Sequence, residues 1–201
     1  MKQFSSILLF VICLFFSEKC ISQAGTLDKT FGTNGVTITD IYQNHDAAVV
    51  AIQPDKKILL AGSSTDPSNH ITVCRYDKSG LLDTLFGNIG RVLLNFDSYT
   101  YLRSIDLQPD GKIVLGGIHK GVLLERLNPD GSIDSSFGLN GMVQYDSVKY
   151  DELLSLKIQK DGKIVTAGQG NTPLYPGNNR FTLHRFNTDG SIDSTFGTYG
   201  D

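Results

Sequence analysis

The stretch Gly131-Ser132-Ile133-Asp134-Ser135-Ser136-Phe137-Gly138-Leu139-Asn140-Gly141 decides the fold of this chain. Its glycines, aspartate and phenylalanine define the pattern Gly-x-(Leu/Ile)-Asp-x-x-Phe-Gly-x-x-Gly, which we call the signature. The signature occurs four times within 201 residues, at 25–35, 80–90, 131–141 and 190–200. Self-similarity at a nearly fixed period is typical of repeat architectures, so the sequence predicts a tandem array of one structural unit.

Two further landmarks recur between the signatures. One is a Gln-x-Asp-x-Lys-Ile turn that begins at Gln53, Gln108 and Gln159, and the other is an arginine at 75, 126 and 185. The signature phenylalanine precedes the glutamine by 22 residues in every unit, and the arginine precedes the next phenylalanine by 11. The separation from glutamine to arginine is instead 22, 18 and 26 residues. All length variation therefore lies in one segment, as expected of an exposed loop on a fixed scaffold.

Each unit contains four short segments with strand character and none with sustained helical periodicity. The units span 25–79, 80–130 and 131–189, and a fourth begins at 190–201. Tight turns with Pro, Asp and Gly separate the segments, which indicates antiparallel hairpins. We predict an all-β fold of tandem four-stranded antiparallel units, β-propeller-like, with three blades in an open arc. The strand candidates are 36–39, 91–95 and 142–145 (first), 49–53, 104–108 and 155–159 (second), 58–61, 113–116 and 164–167 (third), and 71–76, 122–127 and 181–186 (fourth).

These motifs resemble the delta-60 repeat, a tandem repeat of exported bacterial proteins. The resemblance rests on Gly-Ser-Ile-Asp-Ser-Ser-Phe-Gly at 131–138 and Gln-Pro-Asp-Gly-Lys-Ile at 108–113, and it extends from Gly25 to Gly200. It implies a propeller-like array in surface or secreted proteins, often with a separate C-terminal sorting domain, and no established activity. The 201 residues contain three complete units and no segment that resembles such a domain. We therefore expect an N-terminal fragment of a longer array, or a protomer that completes its ring with other chains.

The N-terminal residues have the features of a secretory signal peptide. Lys2 supplies positive charge, residues 7–16 are apolar, and Ser22 is a small residue at the expected cleavage site. The apolar run is shorter than the roughly 20 residues of a membrane-spanning helix. We predict a signal peptide at 1–22 and an exported repeat array at 23–201, secreted or at the cell surface, with no membrane span after cleavage. Cys74 is then the only remaining cysteine and is interpreted as a small strand residue.

Composition and motifs narrow the classes of function. The formal charge of −3, with Lys and Arg scattered singly, provides no basic surface for nucleic acid. Common catalytic motifs are absent, and the four histidines have no metal-ligand spacing. Asn128-x-Asp130-Gly131-x-x-Asp134 is similar to part of a calcium loop, but Arg126 occupies the position of the first ligand. We predict neither a metal nor a cofactor.

The repeated residues are interpreted as structural. The phenylalanines are expected to be buried packing anchors, and each repeated arginine is expected to form an ion pair with the aspartate eight residues later, or to bind a backbone carbonyl. The anchors are Phe31, Phe86, Phe137 and Phe196; the pairs are Arg75 with Asp83, Arg126 with Asp134, and Arg185 with Asp193.

One segment interrupts the repeat, from Gln169 to Arg180 in the third unit. Its amide, aromatic and guanidinium groups suit a polar ligand such as a sugar, although an insertion at a permissive site needs no function. The functional hypothesis is a non-catalytic surface scaffold that binds protein or polysaccharide through its loops. The alternative is an extracellular hydrolase or lyase on a propeller frame, which the fold alone cannot decide. The candidate binding residues are Asn171, Tyr175, Asn178, Asn179 and Arg180.

Overall fold

The computed structural model describes residues 25–39, 45–64, 69–146, 152–171 and 179–197, with the backbone alone at 45–48, 171 and 179. Within these ranges the chain forms eleven β-strands and no helix. The strands are β1 (His45–Ile52), β2 (Ile58–Ser64), β3 (His70–Tyr76), β4 (Arg91–Asn95), β5 (Tyr101–Leu107), β6 (Ile113–Ile118), β7 (Val122–Leu127), β8 (Met142–Tyr145), β9 (Glu152–Ile158), β10 (Ile164–Asn171) and β11 (Asn179–Phe186).

The strands form three antiparallel sheets, ordered β1-β2-β3-β4, β5-β6-β7-β8 and β9-β10-β11. The second sheet lies between the other two, because β5 packs against β1 on one side and against β9 on the other. No comparable packing joins the first and third sheets in the ranges that the structure describes. The prediction of an all-β, propeller-like fold with three blades in an open arc is confirmed.

The sheets are offset from the sequence units. The segment that follows each signature was expected to begin a new four-stranded unit, but β4 pairs with β3 and β8 pairs with β7 of the preceding sheet. Each of these two sheets thus takes three strands from one unit and its fourth from the next. The corresponding early segment, 36–39, forms no strand; only an isolated bridge joins Thr33 and Val36.

A β-bulge near the start of β5, the first strand of the second sheet, explains why the repeat has a glycine at Gly117. The register between β5 and β6 shifts between Leu102 and Ser104, opposite Gly117 and Gly116. A Cβ at Gly117 would lie 2.1 Å from the carbonyl oxygen of Tyr101, so only glycine admits the bulged backbone. The third sheet repeats this geometry at Gly168, where a Cβ would meet the carbonyl of Glu152.

The hydrophobic core consists of two layers between adjacent sheets. The first layer joins β2 and β3 to β5, β6 and β7, with Leu59, Ile71 and Ile113 fully buried in it. The second layer joins the other face of β6 and β7 to the third sheet, with Leu124 and Ile164 fully buried in it. The middle sheet is therefore covered on both faces, as the nearly apolar β6 predicts.

The first sheet has one uncovered face in the described structure. The alternation of apolar residues at Val50 and Ile52 predicts a half-buried strand, yet their side chains are 63% and 69% exposed. They face away from the second sheet, whereas the equivalent Ile105 and Leu156 pack against a preceding sheet and are buried.

In the part of the chain that the structure describes, no helix is long and apolar enough to cross a membrane. The predicted signal peptide, residues 1–22, lies outside that part.

Candidate functional site

Because the strands are antiparallel, their connections lie at two opposite ends of the sheets. One end, which we call the signature end, carries the signatures and the tight turns that begin at Gln53, Gln108 and Gln159. The other, which we call the loop end, carries the connections from sheet to sheet and the β2–β3, β6–β7 and β10–β11 connections of variable length. Repeated and variable residues are therefore separated in space.

At the signature end, Asp83, Asp134 and Asp193 each join two cations. At the junction of the second and third units, Asp134 Oδ2 accepts a hydrogen bond from Arg126 Nε at 2.7 Å and lies 2.9 Å from Lys112 Nζ. The guanidinium of Arg126 also stacks over the Phe137 ring, 4.4 Å from its centroid. The equivalent groups are Arg75, Lys57, Asp83 and Phe86 at the junction of the first and second units, and Arg185, Lys163, Asp193 and Phe196 at the junction of the third and fourth.

The same clusters connect one unit to the next. Arg75 Nη1 donates to the carbonyl oxygen of Pro129, and Arg126 Nη1 donates to that of Thr188. A backbone hydrogen bond runs alongside, from Gly87 N to Asp130 O at 2.8 Å. The predicted ion pair and the predicted carbonyl contact therefore occur together in the first two arginines. The equivalent backbone bonds join Gly32 to Ser79 and Gly138 to Asp189.

The signature rings pack against the glycine that opens the next signature. Phe86 and Phe137 are fully buried, and a Cβ at Gly131 would lie 2.9 Å from the Phe86 ring. The rings of Phe31 and Phe196 are half-buried. They belong to the first and last signatures, which have fewer neighbouring sheets in the described structure.

The repeated acids use their oxygens within the protein. Asp134 Oδ1 accepts hydrogen bonds from the backbone and side chain of Ser136, while Oδ2 faces Arg126 and Lys112. Burial by itself would raise the pKa of Asp134, but the hydrogen bonds from Ser136 and Lys112 and the charge of Arg126 outweigh it and hold the pKa well below its usual range. Asp130 likewise accepts from Ser132 in a local turn.

These contacts account for the acidic residues that resemble a calcium loop, and the explanation requires no bound cation. The carboxylates that would coordinate the metal already accept from protein donors at 2.6–3.1 Å. Within the described ranges, no group of three or more His, Cys, Asp or Glu side chains has an arrangement that could hold a metal ion.

A groove of about 640 Å³ lies between the first and second sheets and extends from Ile133, Leu139 and Asn140 of the third signature to Asp97 and Lys120 at the loop end. Glu125 on β7 lines it and is only 5% exposed. At the rim, Asp97 Oδ2 lies 2.7 Å from Lys120 Nζ, and Asp97 Oδ1 lies 3.3 Å from His119 Nε2. Sequence analysis missed this groove. The available signal is that the residue before the repeated arginine differs in each unit: Cys74, Glu125 and His184.

The predicted binding segment lies largely beyond the described residues. Tyr175 and Asn178 are outside them, and only the backbone of Asn171 and Asn179 is described, as a pair that ends the β10–β11 ladder. Arg180 is exposed at the start of β11, next to the fully exposed ring of Phe181. The backbone ladder places Asn171, Asn179 and Arg180 together at the loop end.

Two solved structures of proteins of unknown function are similar to this chain. One, from Dyadobacter fermentans DSM 18053, aligns with a TM-score of 0.48 and 9% identity over 76% of this chain and 54% of that chain, so this chain spans about half of its length. The other, from Bacteroides caccae, aligns with a TM-score of 0.39 and 12% identity over 81% of this chain and 73% of that chain. No curated protein matches the chain.

A family model also matches the sequence. Its description is "Domain of unknown function (DUF5122) beta-propeller", and it matches residues 53–86, 108–137 and 159–196. Each match begins at the glutamine of a tight turn and ends at the phenylalanine of the next signature.

Proposed function

Because this chain belongs to the DUF5122 beta-propeller family, for which no function is given, we propose that it is an exported, non-catalytic scaffold that binds a protein or a polysaccharide through its loops. Export is supported by the apolar segment at 7–16, which follows Lys2 and precedes small residues. The proposed location is the cell surface or the extracellular medium.

The observation that carries this proposal is the separation of repeated from variable residues. The Arg–Asp–Lys–Phe clusters lie at the signature end and hold adjacent units together. The loop end carries all the length variation, from the short β6–β7 hairpin to the long β10–β11 connection. A rigid frame with variable loops at one edge is a common arrangement for binding.

The chemistry of the frame favours binding over catalysis. The carboxylates of Asp83, Asp134 and Asp193 form ion pairs with arginine and lysine, which keep them ionised and leave them already paired within the protein. A general acid or nucleophile must instead reach a substrate with a proton or an electron pair available.

Binding at the loop end can be tested with the mature chain on glycan and protein arrays. The sharpest variant deletes residues 171–178, which gives the third unit the 18-residue separation of the second. A matched control is Lys160→Ala, an exposed residue in a turn at the signature end. We expect the deletion to abolish binding and the control to retain it. Turnover of a polysaccharide or peptide by the purified chain would instead support the hydrolase or lyase and overturn the proposal.

A further inference from the structure

The side chain of Glu125 is isolated in a way that the repeated acids are not. It is 5% exposed, and no hydrogen bond or ion pair reaches its carboxylate from the described residues. Its Oε1 faces the backbone of Gly141, where an added Cβ would lie 3.6 Å away. Burial raises the pKa of Glu125 to about 7. An ionisable group held without a partner is unfavourable for folding, so the fold itself gives no reason for a carboxylate here.

The repeat itself does not require a carboxylate at this position. The equivalent residues are Cys74, which is buried as a neutral thiol, and His184, whose ring packs edge-on against Tyr145. Arg126 beside Glu125 points to the opposite face of the sheet, where it contacts Asp134. The negative charge is therefore particular to the groove between the first and second sheets.

The surroundings of Glu125 combine apolar walls with a neutralised rim. Leu94 on β4, Met142 on β8, and Ile133 and Leu139 of the third signature line the groove with it. At the rim, the carboxylate of Asp97 is already engaged by Lys120 and His119. Glu125 is thus the acid in the groove that has no cation.

We propose that this groove binds a lysine or arginine side chain of a protein partner, with the aliphatic stem along the apolar walls and the cationic head against the Glu125 carboxylate. The inference rests on the proposed binding function and names the chemistry of the partner. A long side chain with a terminal cation matches a groove with apolar walls in which the acid Glu125 has no cation. Leu94, Met142 and Ile133 offer apolar contact to the stem, and Asn95, Asn140 and Gln144 also line the groove.

The test uses three short blocked peptides that differ at one central residue: lysine, arginine or norleucine. Norleucine keeps the four-carbon stem and lacks the charge. Calorimetric titration of the full chain should give affinities for the lysine and arginine peptides at least about tenfold above that for norleucine. Glu125→Gln should reduce both to the norleucine level. Asp146→Asn, which removes an exposed acid outside the groove, should leave them within about twofold.

A second readout separates pairing with Glu125 from general attraction to an acidic protein. Binding of a cation should ionise Glu125, so titrations near pH 7 in buffers of different ionisation enthalpy should show proton release, and Glu125→Gln should abolish it. The Glu125→Gln variant should fold, because glutamine removes a buried charge and keeps the shape of the side chain.

Several results would overturn the inference. These are equal affinity for all three peptides, no binding at millimolar peptide, unchanged binding by Glu125→Gln, or an equal loss in Asp146→Asn. Free n-butylammonium that binds as tightly as the lysine peptide would assign the groove to a small amine and not to a protein. The assay needs neither the natural partner nor residues 171–178, so its outcome is independent of the loop-deletion experiment.

Discussion

At the residue scale, the buried rings of the second and third signatures each connect two adjacent units. Phe137 packs in the second core layer beneath Arg126 and against Gly190, which opens the next signature. We predict that Phe137→Ala lowers the free energy of unfolding by roughly 3–5 kcal/mol, because it leaves a cavity in a fully covered layer. Chemical denaturation measures the change. Phe196→Ala, at a half-buried ring, is the control and should lose clearly less; equal losses would contradict the packing role.

The carboxylate of Asp134 is predicted to act through its ion pairs and not through calcium. Asp134→Asn leaves Arg126 and Lys112 without their acid and should lower the free energy of unfolding by about 2 kcal/mol at pH 7. Its pKa is depressed in the folded state, so this stabilisation is complete above the unfolded pKa and is lost as the pH falls through the folded value. The difference between wild type and variant should therefore shrink below about pH 4.

Thermal melts with and without chelator complete the Asp134 test. The wild-type midpoint should be the same in both. A clear fall on chelation would revive the calcium loop that the hydrogen bonds of Asp134 and Asp130 disfavour.

At the element scale, the bulge in β5 depends on Gly117 of the neighbouring strand β6. We predict that Gly117→Ala destabilises the protein by about 3 kcal/mol, because its Cβ would meet the Tyr101 carbonyl oxygen at 2.1 Å. Gly111→Ala is the matched control: its φ is +85°, but the nearest atom to a Cβ is 3.5 Å away, on Pro129. It should cost about 1 kcal/mol, from backbone strain alone. Equal effects in denaturant titrations would show that the close approach at the bulge is not decisive.

The strands were predictable where local chemistry dominates. β4, β7 and β8 have the bounds expected from their apolar residues and flanking turns. β1, β5 and β9 begin three or four residues earlier than expected. The bulge between Leu102 and Ser104 interrupts the two-residue alternation, so the sequence pattern ends there while the strand continues.

Long-range arrangements were less accessible from the sequence. The pairing of β4 with β3 depends on a partner across the signature, and no local propensity reports it. The exposure of Val50 and Ile52 depends on which sheet faces them. Glu125 is an isolated acid in the sequence, and its groove forms only when β4 approaches β7 and β8.

At the scale of the whole molecule, the offset between units and sheets predicts that units are interchangeable. Deletion of residues 80–130 joins Ser79 directly to the third signature and places Met142–Tyr145 where β4 pairs with β3. We expect a folded two-sheet chain with a lower melting temperature, since one core layer is lost. Hydrogen exchange should show protection at 142–145. The contrasting deletion, 80–95, removes β4 without a substitute and should unfold the first sheet; equal protection of β3 in both variants would contradict this reasoning.

The shared sheets also bear on how such arrays change over evolutionary time. The strand that completes each of the first two sheets is encoded after the next signature, so unequal recombination between the second and third signatures joins a three-strand segment to a compatible closing strand. Gain or loss of a whole repeat in the gene then leaves each internal sheet with its full set of strands. Selection can therefore alter copy number without first repairing an interrupted fold.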